Sequence, residues 1–522
     1  MVYNQHMRTF KPYDLDQPYL LPPDLRSWLP EGHLALFVSD VVDALDLSSI
    51  LDEYERGDGR GFPPYHPVMM VKLLVYGYCT GKTSSRKIEK ATFEDVAYRV
   101  LSGNQQPDHD SIAEFRRRHL KALAGLFVQV LKLCQEAGLV KLGHVSVDGS
   151  KVKANASKHK AMSYQRMNET EARLVKEVEA LLAEAEAIDK AEDAQYGKGK
   201  RGDELPDELK RRETRLKKIR EAKAALEVEA KVKAKAEAEE AKNRVAERQR
   251  QEEETGRKIG GVPPRIPDAE KALPDPKAQK NFTDPESRIM LDGATKSFQQ
   301  SYNAQIAVDS ASQIIVATGV TQEANDKKQL VPMLSSVQEN MGRLPENTSA
   351  DNGYFSESVL TDARLTGTNL HVAPGREKAA EVPAPVAIAA AEPSPVGERN
   401  TDSAATAGEL PTTAASPTQQ MRAKLQSATG HAVYKMRKAI VEPVFGQIKQ
   451  ARGFRQFSFR GLAKVTAEWD LVSWTHNLLK LFRSGWRPPT GALHPTSAGL
   501  IARGDVPIQP RGVGTMPEIC PA

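Results

Sequence analysis

Along the first quarter of the chain, apolar residues recur with the three-and-four spacing of helices. Leu34, Phe37, Val38, Val41, Val42 and Leu45 form one such face behind the turn Pro30-Glu31-Gly32. Pro67 to Cys79 is an apolar helix with proline at its start, where a missing N–H is harmless, and Gly81 ends it. Ser84-Ser85-Arg86-Lys87-Ile88-Glu89 opens the next helix. Another, from Ser111, continues through Leu120, Leu123, Leu126, Phe127, Val130 and Leu131. From about Pro12 to Gly138 the pattern predicts a compact helical domain, taken as residues 1–140. Its basic patches, Arg86/Lys87/Lys90 and Arg116, Arg117 and Arg118, have two readings: a solvated face, or contacts to DNA phosphates.

Alternation then replaces the helical rhythm. His144-Val145-Ser146-Val147-Asp148 predicts a strand with an acidic side chain at its far end, followed at once by Gly149-Ser150. A carboxylate there sits where the backbone opens to solvent and a hard cation can reach it. An ordinary turn aspartate is the plainer alternative. Lys151 to Ser157 continues as a basic extended segment that includes Lys153.

In Met167, Leu174, Val178, Leu181, Ala185 and Ile188 the spacing becomes heptad-like, and it repeats in Leu209, Leu216, Ile219, Ala222, Leu226 and Ala230 beyond a turn at Gly197–Gly202. This is an antiparallel helical hairpin, inserted at 161–258, with solvated charged faces. It decays into a linker at Gly260–Pro267. Strand patterning resumes with Ser301–Asp309 and Gln313–Val320 around Ser310-Ala311-Ser312, a β-hairpin. A helix through Leu330–Val337 leads to a second acidic strand end, Ala350-Asp351-Asn352-Gly353-Tyr354. A helix near Ser356–Leu365 and a strand near Leu370–Ala373 follow. The Ala/Pro/Thr/Ser-rich stretch 377–420 and the Gly/Pro-rich tail 486–522 are expected to be disordered. With the insertion removed, a three-stranded meander precedes alternating helices and strands. The fold class is α+β, a mixed sheet flanked by helices built from 141–160 and 281–485.

Composition changes this picture little. At 522 residues the chain exceeds one core, and its net charge of +5 does not by itself point to nucleic acid. Cys79, Cys134 and Cys520 form no CxxC pair, which argues against a cysteine zinc site and fits a reducing compartment. The polar N-terminus lacks the apolar core of a signal peptide, and no apolar run reaches membrane-spanning length. The expectation is a cytoplasmic protein with no membrane partner.

Charge distribution says more. From Met421 to Lys464 there are ten Lys or Arg and one acid, Glu442. Either the acid is salt-bridged, or the cations hold a polyanion while the acid holds a metal. On a helix Lys438, Glu442, Gly446 and Lys449 share a face, although Pro443 is expected to break it just after Glu442. Phe454, Phe457 and Phe459 interleave with Arg452, Arg455 and Arg460; packing beneath the sheet is preferred to stacking on bases. Trp469 and Trp474 are expected in the core. Three carboxylates from separate elements, Asp148, Asp351 and Glu442, are what two divalent metals need for phosphoryl transfer.

Taken in order, these pieces resemble bacterial insertion-sequence transposases of the DDE class that carry an InsH-like helical N-terminal domain. The resemblance rests on Pro63-Pro64-Tyr65-His66-Pro67, Pro107-Asp108-His109-Asp110-Ser111 and Val147-Asp148-Gly149-Ser150-Lys151. It rests also on Tyr302-Asn303-Ala304-Gln305, Thr321-Gln322-Glu323-Ala324-Asn325-Asp326, Ala350-Asp351-Asn352-Gly353-Tyr354 and Val441-Glu442-Pro443-Val444-Phe445-Gly446. It implies an RNase H-like catalytic domain with a triad of Asp148, Asp351 and Glu442 on Mg²⁺ (or Mn²⁺). A Tyr-Arg-Glu-Lys signature maps to Tyr434, Arg437, Glu442 and Lys449. One extra residue between Arg437 and Glu442 leaves Lys438 as the alternative basic partner. DNA contacts are expected from these, from Arg452 and Arg455, from Arg116, Arg117 and Arg118, and from Lys151 and Lys153. The implied partners are terminal inverted repeats and target DNA, held by a homodimer on paired ends, in a bacterial, nucleoid-associated setting. The rival readings are an RNase H-like endonuclease that cuts without joining and a DNA-binding regulator with a decayed site.

Overall fold

The computed structural model describes residues 24–55, 64–196, 207–375 (except 257, 259, 263 and 294) and 416–489. They divide into two compact units: residues up to Ala137 together with those from Trp474 onward, and Gly138–Ser473.

The first unit contains α1 (Leu34–Ala44), α2 (Ser48–Glu55), α3 (Pro67–Thr80), α4 (Ser85–Glu94), α5 (Val96–Leu101), α6 (His109–Arg118) and α7 (Leu120–Glu136). The face predicted on α1 is the one it buries, with Phe37, Val38, Val41 and Val42 at most 2% exposed. Gly81 ends α3 at φ +80°, a left-handed conformation that costs glycine nothing. The single helix expected from Ser111 through Leu131 is two. Asp108 starts α6 by accepting from the Ser111 N–H at 2.8 Å. The chain then leaves helical geometry at His119, whose buried ring packs on Phe115 at 4.7 Å. Trp474 is core here, as expected, its Nε1 donating to the Leu123 carbonyl at 3.0 Å. Cys79 and Cys134 are buried and not in disulfides, and Cys520 lies outside the described residues.

The second unit runs β1 (His144–Lys153), β2 (Ala161–Ser163), α8 (Tyr164–Tyr196), α9 (Asp207–Thr255), β3 (Gln279–Asn281), β4 (Arg288–Leu291), β5 (Phe298–Asp309) and β6 (Ile315–Thr321). It continues with α10 (Leu330–Met341), β7 (Asn347–Ala350), α11 (Glu357–Leu360), β8 (Asn369–Val372), α12 (Pro417–Gln426), α13 (Ala428–Gly446) and α14 (Leu462–Arg483). From Trp474 onward α14 groups with the first unit.

The main sheet is mixed, in the order β4-β5-β1-β7-β8, with β6 also on β5. Strand β1 is antiparallel to β5, from Val145↔Asp309 to Lys153↔Ser301, and parallel to β7, from His144↔Asn347 to Val147↔Ala350. β7 and β8 are parallel. Val145, Val147, Tyr302, Ala304 and Ile306 are fully buried. Phe457 meets Tyr302 edge-on at 6.0 Å and Trp469 at 6.4 Å, so Phe457 and Phe454 belong to the core, as preferred.

The helical hairpin forms as expected. Tyr164 bonds Glu227, Glu171 pairs with Arg220, and Glu177 with Arg212, an order that makes α8 and α9 antiparallel. Met167, Leu174, Leu216, Ile219 and Leu226 fill its seam. Its turn at 197–206 lies outside the described residues. A two-stranded ribbon, Ala161↔Asn281 to Ser163↔Gln279, closes its base. This ribbon and β4 are too short to leave a periodic signal, and neither is anticipated by the pattern.

Residues 377–415 of the expected disordered linker lie outside the description, as do 490–522. The linker's last residues are helical instead. Ser416 and Gln419 form a reciprocal capping box that starts α12, with Pro417 in its first turn.

Candidate active site

Asp148 does not end its strand. β1 runs on to Lys153 because the long β5 pairs with it throughout, while the parallel partner β7 stops at Ala350, opposite Val147. The sheet therefore opens immediately beyond Asp148, and the next residue of the neighbouring chain segment is Asp351. There Asp351 starts the 3₁₀ turn Asn352–Tyr354 by accepting the Gly353 N–H at 2.8 Å.

A buried carboxyl with other acids beside it resists ionisation. The Asp148 carboxyl is pushed up to about 6, mainly by burial and further by Asp351 and Asp326. The Gly149 N–H at 2.8 Å and the Arg437 guanidinium at 3.8 Å counter this only in part. The pair thus keeps an undercompensated negative charge between hard oxygen donors, which suits a divalent cation that takes its remaining ligands from water and phosphate.

Glu442 does not join them. It is exposed on α13, and among the described residues no group of three His, Cys, Asp or Glu converges closely enough to hold a metal ion. The expected three-acid pocket is therefore two acids in this structure. The same helix nevertheless packs on β1 and β7, and sends Arg437, which also covers the Tyr434 ring at 5.8 Å, to Asp148. Lys438 is exposed, so Arg437 is the basic residue at the pair.

Pro443 does not break the helix: α13 continues to Gly446 and passes into a π turn, Gln447–Ala451. The wider turn, closed by Arg452 N–H on Gln447 O at 3.0 Å, rotates Lys449 off the face of Glu442. Lys449 instead donates to Ser150 Oγ and, at 2.8 Å, to the Lys151 carbonyl, and burial lowers its ammonium's affinity for the proton. Lys151, Lys153, Lys449 and Arg455 line a cavity of ≈ 150 Å³ with Asp292.

Two residues expected on DNA are structural. Arg116 is buried, donating to the Thr83 carbonyl at 2.6 Å, and Arg452 is buried with both terminal nitrogens on the Val472 carbonyl at 3.1 Å. Counting charges cannot separate such cations from free ones. Arg117 and Arg118 stay half-exposed, paired with Glu114 and Glu53. Four residues of the site were visible in the sequence only as parts of motifs, with no role attached. Asp326 accepts from Asn303 at 2.6 Å and Gln305 at 2.7 Å, and Tyr354 donates to Gln305. The available signal was polar side chains at period two in an otherwise apolar strand: Ser301, Asn303 and Gln305.

Residues 23–118 match the family described as a transposase domain (DUF772), and residues 400–482 match a transposase DDE domain. The first match takes in α1 to α6; the second holds Tyr434, Arg437, Glu442 and Lys449. The two matches, a transposase helical domain ahead of a transposase DDE domain, support an insertion-sequence DDE transposase. No curated protein and no solved structure matches it. Among the described residues no helix is long and apolar enough to cross a membrane.

Proposed function

We propose that Gly138–Ser473 is an RNase H-like catalytic unit that cuts DNA at the ends of a mobile element and joins them to a target. The strand order β6-β5-β1-β7-β8, antiparallel up to β1 and parallel beyond it, supports the fold assignment. The observation that carries the chemistry is the adjacency of Asp148 and Asp351 where β1 and β7 part company.

In this reading Asp148 and Asp351 hold Mg²⁺ or Mn²⁺, and Glu442, exposed on the helix that sends Arg437 to Asp148, completes the set when DNA is bound. Divalent cations supply the Lewis acidity that activates the attacking oxygen and neutralises charge on the scissile phosphate. Water attacks phosphorus and the 3′ oxygen leaves; the freed 3′-hydroxyl then attacks a target phosphate, exchanging one phosphodiester for another. Arg437 steadies charge beside Asp148. Lys449, Lys151, Lys153 and Arg455 receive backbone phosphates, with Tyr434 and Lys438 flanking them. The helical unit grips the terminal inverted repeats, Arg117 and Arg118 contributing, and a homodimer pairs two ends.

The test uses the full chain with duplexes bearing the repeats that flank its gene. The parent nicks them in Mg²⁺ and joins precut ends; Asp148→Ala, Asp351→Ala and Glu442→Ala lose both reactions yet keep gel-shift affinity. Parental nicking by Asp148→Ala refutes the assignment. Nicking without any joining favours the endonuclease reading. The exposure of Glu442 favours a non-catalytic regulator, and a chain that binds the repeats but titrates no Mn²⁺ decides for it.

A further inference from the structure

We propose that Asp326 is a positioning residue of this site: it holds Lys151 beside Asp148 and Asp351 and adds negative charge that tightens their grip on a divalent cation. The proposal rests on reading Asp148 and Asp351 as the cation-holding acids.

Asp326 lies in the loop between β6 and α10, remote in sequence from both acids. Its Oδ1 is fixed by the Asn303 and Gln305 amides at 2.6 and 2.7 Å, with the Lys151 ammonium at 3.8 Å. The register explains the convergence. Asn303 faces Lys151 across β1 and β5, and Gln305 faces Gly149, so all four share one side of the sheet.

Gly149 is what lets the network close. A Cβ there overlaps Gln305 Nε2 and comes within 2.9 Å of Asp326 Oδ1. On the other side, a Cβ at Gly353 would lie 2.9 Å from Asp351 Oδ1 and 3.6 Å from Asp326 Oδ2. The second oxygen of Asp326 is therefore turned toward the Asp351 turn. Gln305 is itself immobilised, its side-chain oxygen accepting from Tyr354 and its carbonyl from Trp469 Nε1 at 2.9 Å.

An independent observation marks the place as built for a ligand. Asn303 is fully buried, yet its Oδ1 has no hydrogen-bond partner. Such an acceptor is costly unless something fills it. A hydrated cation, or the Lys151 ammonium moving toward it, does so. Lys151 and the cation thus compete for the same negative field, and Asp326 sets the field's strength.

Opposite signs follow for two substitutions, which general structural damage does not produce. Mn²⁺ binding to the full chain, without DNA, is measured by electron paramagnetic resonance of the free ion. Asp326→Asn keeps an oxygen for the Asn303 and Gln305 amides and should bind Mn²⁺ about 10-fold more weakly, the range for residues behind metal ligands. Lys151→Met should bind it more tightly. Asp148→Asn is the control and should lose the site. Parental affinity in Asp326→Asn, or weakened binding in Lys151→Met, overturns the proposal. Should Asp326→Asn not fold, Lys151→Met still decides by sign. Parental Mn²⁺ binding in Asp148→Asn overturns the cation reading itself, and this proposal with it.

Discussion

Replacing Asp148 by asparagine should remove catalysis and, without metal, stabilise the protein. Burial and two neighbouring acids hold the Asp148 carboxyl at about 6 against an ordinary 3.8. The unfolded carboxyl therefore ionises first as pH rises. The raised value stabilises the fold fully below 3.8, and that contribution is lost as pH climbs through about 6. A gap of roughly two pH units, at ~1.4 kcal/mol each, makes the ionised group cost about 3 kcal/mol at neutral pH. Asparagine resembles the protonated acid and still accepts the Gly149 N–H, now at 2.8 Å. Urea denaturation of chelator-treated protein should show Asp148→Asn more stable by about 3 kcal/mol at pH 7.5, with the gain gone by pH 4. Millimolar Mg²⁺ should narrow the difference by binding only the parent. A variant no more stable than the parent at pH 7.5, or equally stabilised at pH 4, refutes the placement of an undercompensated charge there.

Arg452 and Arg455 should separate structure from binding. Arg452→Met removes two charge-assisted hydrogen bonds to the Val472 carbonyl and should cost about 2 kcal/mol of stability while the folded protein binds DNA as before. Arg455→Met, at an exposed position, should leave stability unchanged and reduce the salt dependence of DNA affinity by a slope of about 1. Equal losses of DNA affinity would falsify the distinction. Gly149→Ala should slow single-turnover nicking more than tenfold with both acids intact, because the new methyl displaces Gln305 and Asp326 at an overpacking cost of about 1–3 kcal/mol. Parental nicking rates sink that argument.

What could be seen in the sequence was local. Val145 and Val147, the alternation into Asp309, and the heptad spacing of Met167 and Leu174 each announce their element within a few residues. Asp148 and Asp351 were visible as acids set against Gly at strand ends. That Asp148 lies in mid-strand was not, because the length of β1 is set by β5, some 150 residues later in the chain. The side that Lys449 faces depends on a π turn, which shifts the helical phase without any residue announcing it. Arg116 and Arg452 looked like their exposed neighbours because burial is decided by packing partners from other elements. Asp326 gains its meaning from Asn303 and Gln305; their period-two spacing shows in the strand, but nothing local says which loop residue they hold.

The short ribbon that joins Ala161–Ser163 to Gln279–Asn281 has a bearing on how this protein can diversify. It brings the entrance and exit of the hairpin side by side, so the arm can lengthen, shorten or be exchanged without re-registering β1 against β5. Reach and chemistry are thereby free to evolve on separate schedules.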